Sequence, residues 1–450
     1  MNKRHKKVRE FESRASNPAY RKGLWITGFL FFIALGIELL YIKSYQVHYF
    51  ISKDGYLYTN IAESFLQGKG LINTVNFAEG ADHLMQAIPK NRDYVIGPVY
   101  PLLLALIYGI FGLKNYAMVV TVLHAVLGAA SAVLAYKTGE LIFGKAYAWI
   151  PYLLTLGYPL FAFWGMYILT EVTYVFAIWL FLYCLARYAR DIARPKLMTL
   201  LILGAVIGFS NLVRPLLLLY FPVLGFWIFW MKGWRLKLAL RDFTLIVMMT
   251  VLVMCPWWVR NELKYHQFIP VSNYGSYEFY LGNNPKTVTN VYFVFDQPSY
   301  DPAVKARIEK LPIGEQEKEY KSLGVSYILS HPVMFLERTL AKEKNLFWKP
   351  VSPPEGQAYK MRGDFLDKWY LLLGLIGILL SLIWIKRYSF LLLYVLYYSF
   401  VVSMITVVSG GRYRLPVMPA MILLGSLVFV MLLKGIGKMQ GVVQRAGGRA

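Results

Sequence analysis

Long apolar runs divide the chain, near residues 24–42, 117–136, 146–163, 170–188, 197–213, 215–231, 243–259, 369–385, 389–408 and 415–433. Each approaches the roughly 20 residues that a helix needs to cross about 30 Å of hydrocarbon. Lipid offers no hydrogen-bond partners, so a run of this kind has to close its backbone bonds within itself, as a helix does. The spacing therefore predicts an all-α polytopic membrane protein of about ten transmembrane helices. Composition agrees: 57% of residues are hydrophobic and mean hydropathy is +0.45, more apolar surface than a soluble core of 450 residues absorbs.

The formal charge of +23 would suit a nucleic-acid binder, but the basic residues sit in the short connections between runs, where they act as topology determinants. No nucleic-acid partner is expected. Cys184 and Cys255 both fall inside apolar runs, which argues against a disulfide framework or a thiolate metal site. The six histidines are scattered without metal-ligand spacing.

The first 23 residues are basic (Lys3, Arg4, Lys6, Lys7, Arg9), and the run after them has no small-residue cleavage site, so it reads as a signal anchor with a cytoplasmic N-terminus. One more apolar stretch, Pro98 to Leu113, would make an eleventh crossing. Ten crossings put Lys137/Lys145, Arg187/Arg190/Arg194/Lys196, Lys232/Arg235/Lys237/Arg241, Lys386/Arg387 and the C-terminal basic residues on the cytoplasmic side, whereas eleven would put them all outside. Tyr100 to Gly112 is therefore expected to be a helix in the outer interface, with a re-entrant segment as the alternative.

The resulting plan is a cytoplasmic basic tail (1–23), a transmembrane module (24–259) with a first extracytoplasmic loop (43–116), an extracytoplasmic loop domain (260–368), C-terminal transmembrane helices (369–434) and a cytoplasmic tail (435–450). The loop domain is expected to be small and either α or mixed α/β. Helical patterns run at about 314–329 and 332–347, the second opened by His331-Pro332 because proline is tolerated in a first turn.

Asp54 follows the first run by about twelve residues, in Ser52-Lys53-Asp54-Gly55-Tyr56-Leu57-Tyr58, at headgroup height. A loop aspartate is ordinarily a solvated turn residue. Here a second acid, Glu171, opens a later run on the same side, although the helix dipole with Thr170 as cap would also account for it. Two carboxylates at one membrane face can share a divalent cation (Mg or Mn), or one can serve as base while the other orients the site. Arg214, Arg260, Arg412 and Arg414 all lie at outer ends of runs, against the positive-inside bias. Together they point to a phosphate-bearing ligand, although any single one could be snorkelling to lipid headgroups. Glu38 and His124 lie within runs, where ionisable residues are functional candidates.

These pieces, in this order, resemble the integral-membrane glycosyltransferases of the C superfamily, particularly the aminoarabinose transferases and the relatives of protein O-mannosyltransferases. The likeness is carried by Asp54 with Tyr58, Ile61-Ala62 and Gly68-Lys69-Gly70; by Gly97-Pro98-Val99-Tyr100-Pro101-Leu102; by Leu169-Thr170-Glu171; and by Leu212-Val213-Arg214-Pro215. It continues through Pro256-Trp257-Trp258-Val259-Arg260-Asn261, Leu281-Gly282-Asn283-Asn284-Pro285 and Arg412-Tyr413-Arg414-Leu415-Pro416. The resemblance implies that Asp54 is the catalytic aspartate and that Glu171 helps to hold a metal or the acceptor. It also implies that Tyr58, Tyr100, Asn261, Asn283 and Tyr413 line the substrate cleft. Two features depart from the family: a single Asp54-Gly55 stands where mannosyltransferases tend to have adjacent acids, and about ten spans are expected where some relatives have thirteen.

The expected function is inverting transfer of a sugar from a polyprenyl-phosphate donor to a glycolipid, polymer or protein acceptor on the outer face of a cytoplasmic membrane, without an organic cofactor. Membrane lipids would be the other partners. The cytoplasmic connections are too short for a nucleotide-sugar pocket. A transporter or flippase of lipid-linked sugars is the rival, and would ordinarily show internal repeats or matched broken spans. A non-catalytic scaffold would leave the acids and arginines without a role. Topology is directly measurable: reporters fused after Lys145, Arg241 and Lys438 should read cytoplasm and one at Lys310 should read outside, and an inverted pattern would add or remove a crossing.

Overall fold

The computed structural model describes residues 18–44, 53–73, 95–112, 116–287, 300–349, 357–406 and 411–447. The basic N-terminal tail and Gly410 of the last motif lie outside these, as do residues 74–94, 288–299 and 350–356 of the two large loops. Among the described residues there are helices and no β-strand. In chain order they are α1 (Pro18–Ser44), α2 (Lys53–Leu66), α3 (Val99–Phe111), α4 (Tyr116–Phe143), α5 (Trp149–Leu156), α6 (Pro159–Gly165), α7 (Glu171–Arg190), α8 (Leu197–Val213) and α9 (Phe221–Met231). Then follow α10 (Leu236–Tyr265), α11 (Gly275–Gly282), α12 (Pro302–Ile308), α13 (Ile313–Ser330), α14 (Pro332–Trp348), α15 (Gln357–Ser381), α16 (Ile385–Ile405) and α17 (Met418–Gly447).

Among the described residues six helical stretches are long and apolar enough to cross a membrane, or seven when a bent pair counts as one span. The chain is a multi-pass integral membrane protein. Every expected apolar run lies in a helix, but not every run is a full-length span. Leu197–Val213 and Pro215–Met231 fall short of the required length, and Phe365–Ile405 holds two expected runs joined through a 3-10 turn at Leu382–Trp384. The bent pair, Lys145–Leu156 with Pro159–Gly165, turns by 48° where Pro159 pushes Tyr158 into an extended conformation. Helix α3 has 13 residues, about 20 Å at 1.5 Å per residue and too short to span. The two helices expected in the large loop are α13 and α14, with Pro332 in the first turn of α14.

The helices approach closely where glycine removes the side chain, as expected where lipid gives helices no hydrophobic reason to associate. A Cβ on Gly377 of α15 would lie 2.1 Å from the Leu424 carbonyl oxygen of α17, and one on Gly204 of α8 would lie 2.4 Å from the Ile246 carbonyl oxygen of α10. At the second contact Thr250 Oγ1 donates across to the Gly204 carbonyl at 2.9 Å. The main core is a sheath of aromatic and branched side chains from α4 to α10 and α14 to α17, including fully buried Trp179, Trp227, Tyr188 and Tyr394. A Gly377→Val change forces α15 and α17 apart. It should lower the unfolding temperature of the detergent-solubilised protein by several degrees, corresponding to about 1–3 kcal/mol of overpacking, whereas Gly435→Val, which faces open space, should leave it unchanged.

Candidate active site

Asp54 occupies the first turn of α2, where the helix dipole favours a carboxylate. Helix α2 rests on α3 through buried Ile61 and Ala62 and a 3.1 Å hydrogen bond between Thr59 Oγ1 and the Tyr108 hydroxyl. Tyr58, one turn beyond Asp54, packs edge-on against Tyr100 of α3 with ring centroids 5.2 Å apart. Burial, aided by the negative charges of Asp54 and Glu171 and opposed by Arg214 and Arg412, pushes the Tyr58 hydroxyl up to about 12, so it stays protonated at neutral pH.

Glu171 opens α7 and is fully buried. Its Oε1 accepts from Arg214 Nη2 at 2.8 Å and lies 3.5 Å from Arg412 Nε. Thr170 does not cap the helix with its side chain. Its hydroxyl accepts from Arg214 Nε at 2.8 Å instead, so the two residues form a two-pronged cradle for one guanidinium. Arg214 reaches them because Pro215 ends α8 and leaves Arg214 extended.

Arg412, in the 3-10 segment Gly411–Val417, joins the two acids: its Nη2 donates to Asp54 Oδ2 at 2.7 Å while its Nε faces Glu171. The order of contact is Asp54, Arg412, Glu171, Arg214, Thr170, drawn from positions 54 to 412 of the chain. Asp54 is the accessible end, 43% exposed against 26% for Arg412 and none for Glu171. Tyr413 borders the cluster, with the Arg412 guanidinium 5.7 Å from its ring centre. A half-exposed carboxylate beside two guanidiniums held by a buried acid can take a proton on one side and meet an anion on the other.

The structure does not bring the other expected arginines to this cluster. Arg414 is 1% exposed and occupied: it donates to the Leu346, Phe347 and Lys349 carbonyls and pairs with Asp367. Arg260 stacks over Trp257 and Tyr265 and donates to the Leu71 carbonyl and to Asn261 Oδ1. Neither is placed to receive a donor phosphate at the Asp54 cluster, because internal acceptors take up their guanidiniums. Asn261 and Asn283 are also structural. Asn261 donates to the Ile269 carbonyl, and Asn283 ties α11 to α16 through the Phe279 and Met404 carbonyls. Tyr100 belongs to the second layer, with its hydroxyl 3.3 Å from His124 Nε2. The other ring nitrogen of His124 meets the Gly165 carbonyl at 2.8 Å, so this intramembrane histidine is a satisfied packing residue. Glu38 packs its carboxylate against Gly128.

The divalent cation expected of Asp54 and Glu171 finds a poor cage. Each acid already faces arginine, and among the described residues no group of three His, Cys, Asp or Glu could hold a metal ion.

One acid escaped the sequence reading. Glu278 of α11 is half-buried; burial pushes its carboxyl above the ordinary range, Arg412 and Arg214 pull it back, and Asp54 adds to the rise. Its signal was an acid among Tyr274, Tyr277 and Tyr280, immediately before Leu281-Gly282-Asn283-Asn284-Pro285.

Residues 96–259 match the model of the dolichyl-phosphate-mannose-protein mannosyltransferase family. The matched stretch contains Tyr100, Glu171, Arg214 and Trp257, whereas Asp54 and Arg412 lie on either side of it. No curated protein sequence shows significant similarity to the chain. Among solved structures, an oligosaccharyltransferase from Archaeoglobus fulgidus tethered to an acceptor peptide superposes over 93% of this chain and 51% of its own, at 15% identity and a TM-score of 0.55. The archaeal oligosaccharyltransferase AglB from the same organism, in complex with an inhibitory peptide and a dolichol-phosphate, superposes over 95% and 52%, at 14% identity and a TM-score of 0.54. The chain thus spans about half the length of these two proteins and shares their fold over that half. ArnT from Cupriavidus metallidurans bound to undecaprenyl phosphate covers 90% of the chain and 76% of its own, at 13% identity and a TM-score of 0.43.

The Glu171–Arg214 pair in the family segment sets a clear stability test. Arg214→Ala leaves a fully buried carboxylate without its nearest partner and should cost about 3 kcal/mol, and adding Glu171→Gln should recover most of that loss. Thermal unfolding of the single and double variants measures both.

Proposed function

We propose that this chain is an integral-membrane, inverting glycosyltransferase that moves a sugar from a polyprenyl-phosphate donor to an acceptor on the outer side of a cytoplasmic membrane, with both termini in the cytoplasm. The observation that carries the reading is Arg412 held between half-exposed Asp54 and buried Glu171 at one end of the helical bundle. The family of residues 96–259 and the fold shared with an archaeal enzyme solved with dolichol-phosphate support the same substrate class.

In this reading the acceptor hydroxyl or amine attacks the anomeric carbon from the side opposite the phosphate. The new bond to the acceptor forms as the carbon–oxygen bond to phosphate breaks, the electron pair leaves with the polyprenyl phosphate, and configuration inverts. Asp54 takes the acceptor proton on its carboxylate. Arg412, backed by Arg214, stabilises the charge growing on the leaving phosphate, an effect that strengthens as water is excluded. A guanidinium carries five N–H donors, so Arg412 can meet a phosphate while keeping its contact with Glu171. In the resting site its partner is Asp54 itself. Donor phosphate then competes with Asp54 for Arg412, and winning that competition raises the basicity of the carboxylate by removing a paired positive charge. Glu171 keeps both arginines in place, a positioning role that needs no metal.

Asp54→Asn keeps the shape and removes the base, so it should abolish transfer without weakening donor binding, which tightens as the carboxylate stops competing for Arg412. Arg412→Ala should weaken binding of a labelled polyprenyl phosphate by about tenfold or more, the loss of a charge-assisted contact to phosphate. Turnover by Asp54→Asn near the wild-type rate would remove the catalytic assignment.

A further inference from the structure

We propose that Arg414, with Asp367 and Tyr158, forms a buried latch that positions Arg412, so that Arg414 serves the phosphate site without touching it. The inference rests on the glycosyltransferase reading for its functional consequence and on geometry for the latch itself. Arg412 and Arg414 flank Tyr413 in one 3-10 segment, Gly411–Val417, yet their side chains engage different parts of the protein. Arg412 goes to the acids of α2 and α7, and Arg414 goes to the end of α14 and the start of the span in α15.

The Arg414 contacts are those of a C-terminal cap made from a distant residue. The last carbonyls of a helix lack intrahelical donors. Here Arg414 Nη1 donates to Leu346 at 3.0 Å and to Phe347 at 2.6 Å, and Nη2 donates to Lys349 at 3.1 Å and to the Asp367 carboxylate. The other oxygen of Asp367 accepts from the Tyr158 hydroxyl at 2.7 Å, at the bend between α5 and α6. Asp367 and Arg414 are both almost wholly buried, and a buried pair adds little net stability over apolar residues of the same size. Its geometric effect is large. The 3-10 segment carries 3.0 residues per turn, so a slip of one residue swings Arg412 by about 120° away from Asp54 and Glu171. Four backbone or side-chain anchors oppose that slip: Arg414 on α14, Asp367 on α15, Tyr398 donating to the Tyr413 carbonyl at 2.8 Å, and Tyr394 donating to the Pro416 carbonyl at 2.9 Å. Further contacts hold α14 itself: Lys342 Nζ donates to the Gly282 carbonyl at 2.9 Å and Ser403 Oγ to Glu343 Oε2 at 2.6 Å.

The test uses Asp367→Asn, and Tyr158→Phe as the milder variant, in the full-length purified protein with and without Arg412→Ala. Affinity for labelled undecaprenyl phosphate is the first readout. A positioning role predicts that Asp367→Asn weakens binding about tenfold and Tyr158→Phe less, and that neither adds more than about twofold once Arg412 is gone. A loss that persists undiminished in the Arg412→Ala background, or no loss in either variant, overturns the proposal. The second readout does not depend on donor chemistry. With Cys184 and Cys255 replaced by alanine, nitroxides at Tyr56→Cys and Tyr413→Cys, which leave Arg412 in place, report the distance between α2 and the 3-10 segment. That distance distribution should be narrow in the otherwise intact chain and broad or displaced with Asp367→Asn, and an unchanged distribution also overturns the latch. If Arg412→Ala binds undecaprenyl phosphate as wild type does, the donor reading falls, while the distance measurement still decides the latch.

Discussion

One guanidinium holds the candidate site together. Arg412 lies between an acid on α2 and an acid on α7 and pairs with both. Glu171 is the demanding member, because a carboxylate taken wholly out of water needs compensating charge and hydrogen bonds. Arg214 and Arg412 supply the charge, and Thr170 completes the geometry by accepting from Arg214. The break at Pro215, the 3-10 segment before α17 and the seating of α2 on α3 can each be read as ways of delivering one side chain to this carboxylate.

Fold class and outline were legible because apolar periodicity and length are local properties. The ten apolar runs are helical over most of their described residues, and α13 and α14 appeared within a residue or two of their expected ends. The number of full-length spans was less legible, since a composition window does not see the 48° bend at Tyr158 or the 3-10 turn at Leu382–Trp384. Of the four arginines expected at the site, the fold brings two to the acids. Arg214 and Arg412 lie at the acids, while Arg260 and Arg414, in equally suggestive motifs, are consumed by carbonyls and aromatic rings. Nothing local separates these pairs. Whether an arginine is free or spent depends on which carbonyls a distant helix end leaves unpaired, and that is a tertiary fact.

The same reasoning explains Glu278 and Asp367. Both look like ordinary loop acids in the sequence, one among tyrosines and one before an apolar run. In the folded chain Glu278 enters the electrostatic field of Asp54 and Arg412, and Asp367 becomes the buried counter-charge of Arg414. Acids of α11 and of the start of α15 therefore join arrangements begun by residues of the bundle, which ties the 260–368 stretch into the site's construction.

The ion-pair chain also has an order in time. Glu171 meets Arg214 after only 43 further residues, but Asp54 waits 358 residues for Arg412. At about 5–20 residues per second of synthesis, that delay is roughly 20–70 seconds during which the earlier helices are already in the bilayer. A nascent chain thus carries its acid through that interval without the guanidinium that organises it. The ribosome delivers that guanidinium just ahead of α17, so the ion-pair chain closes only as that helix is made.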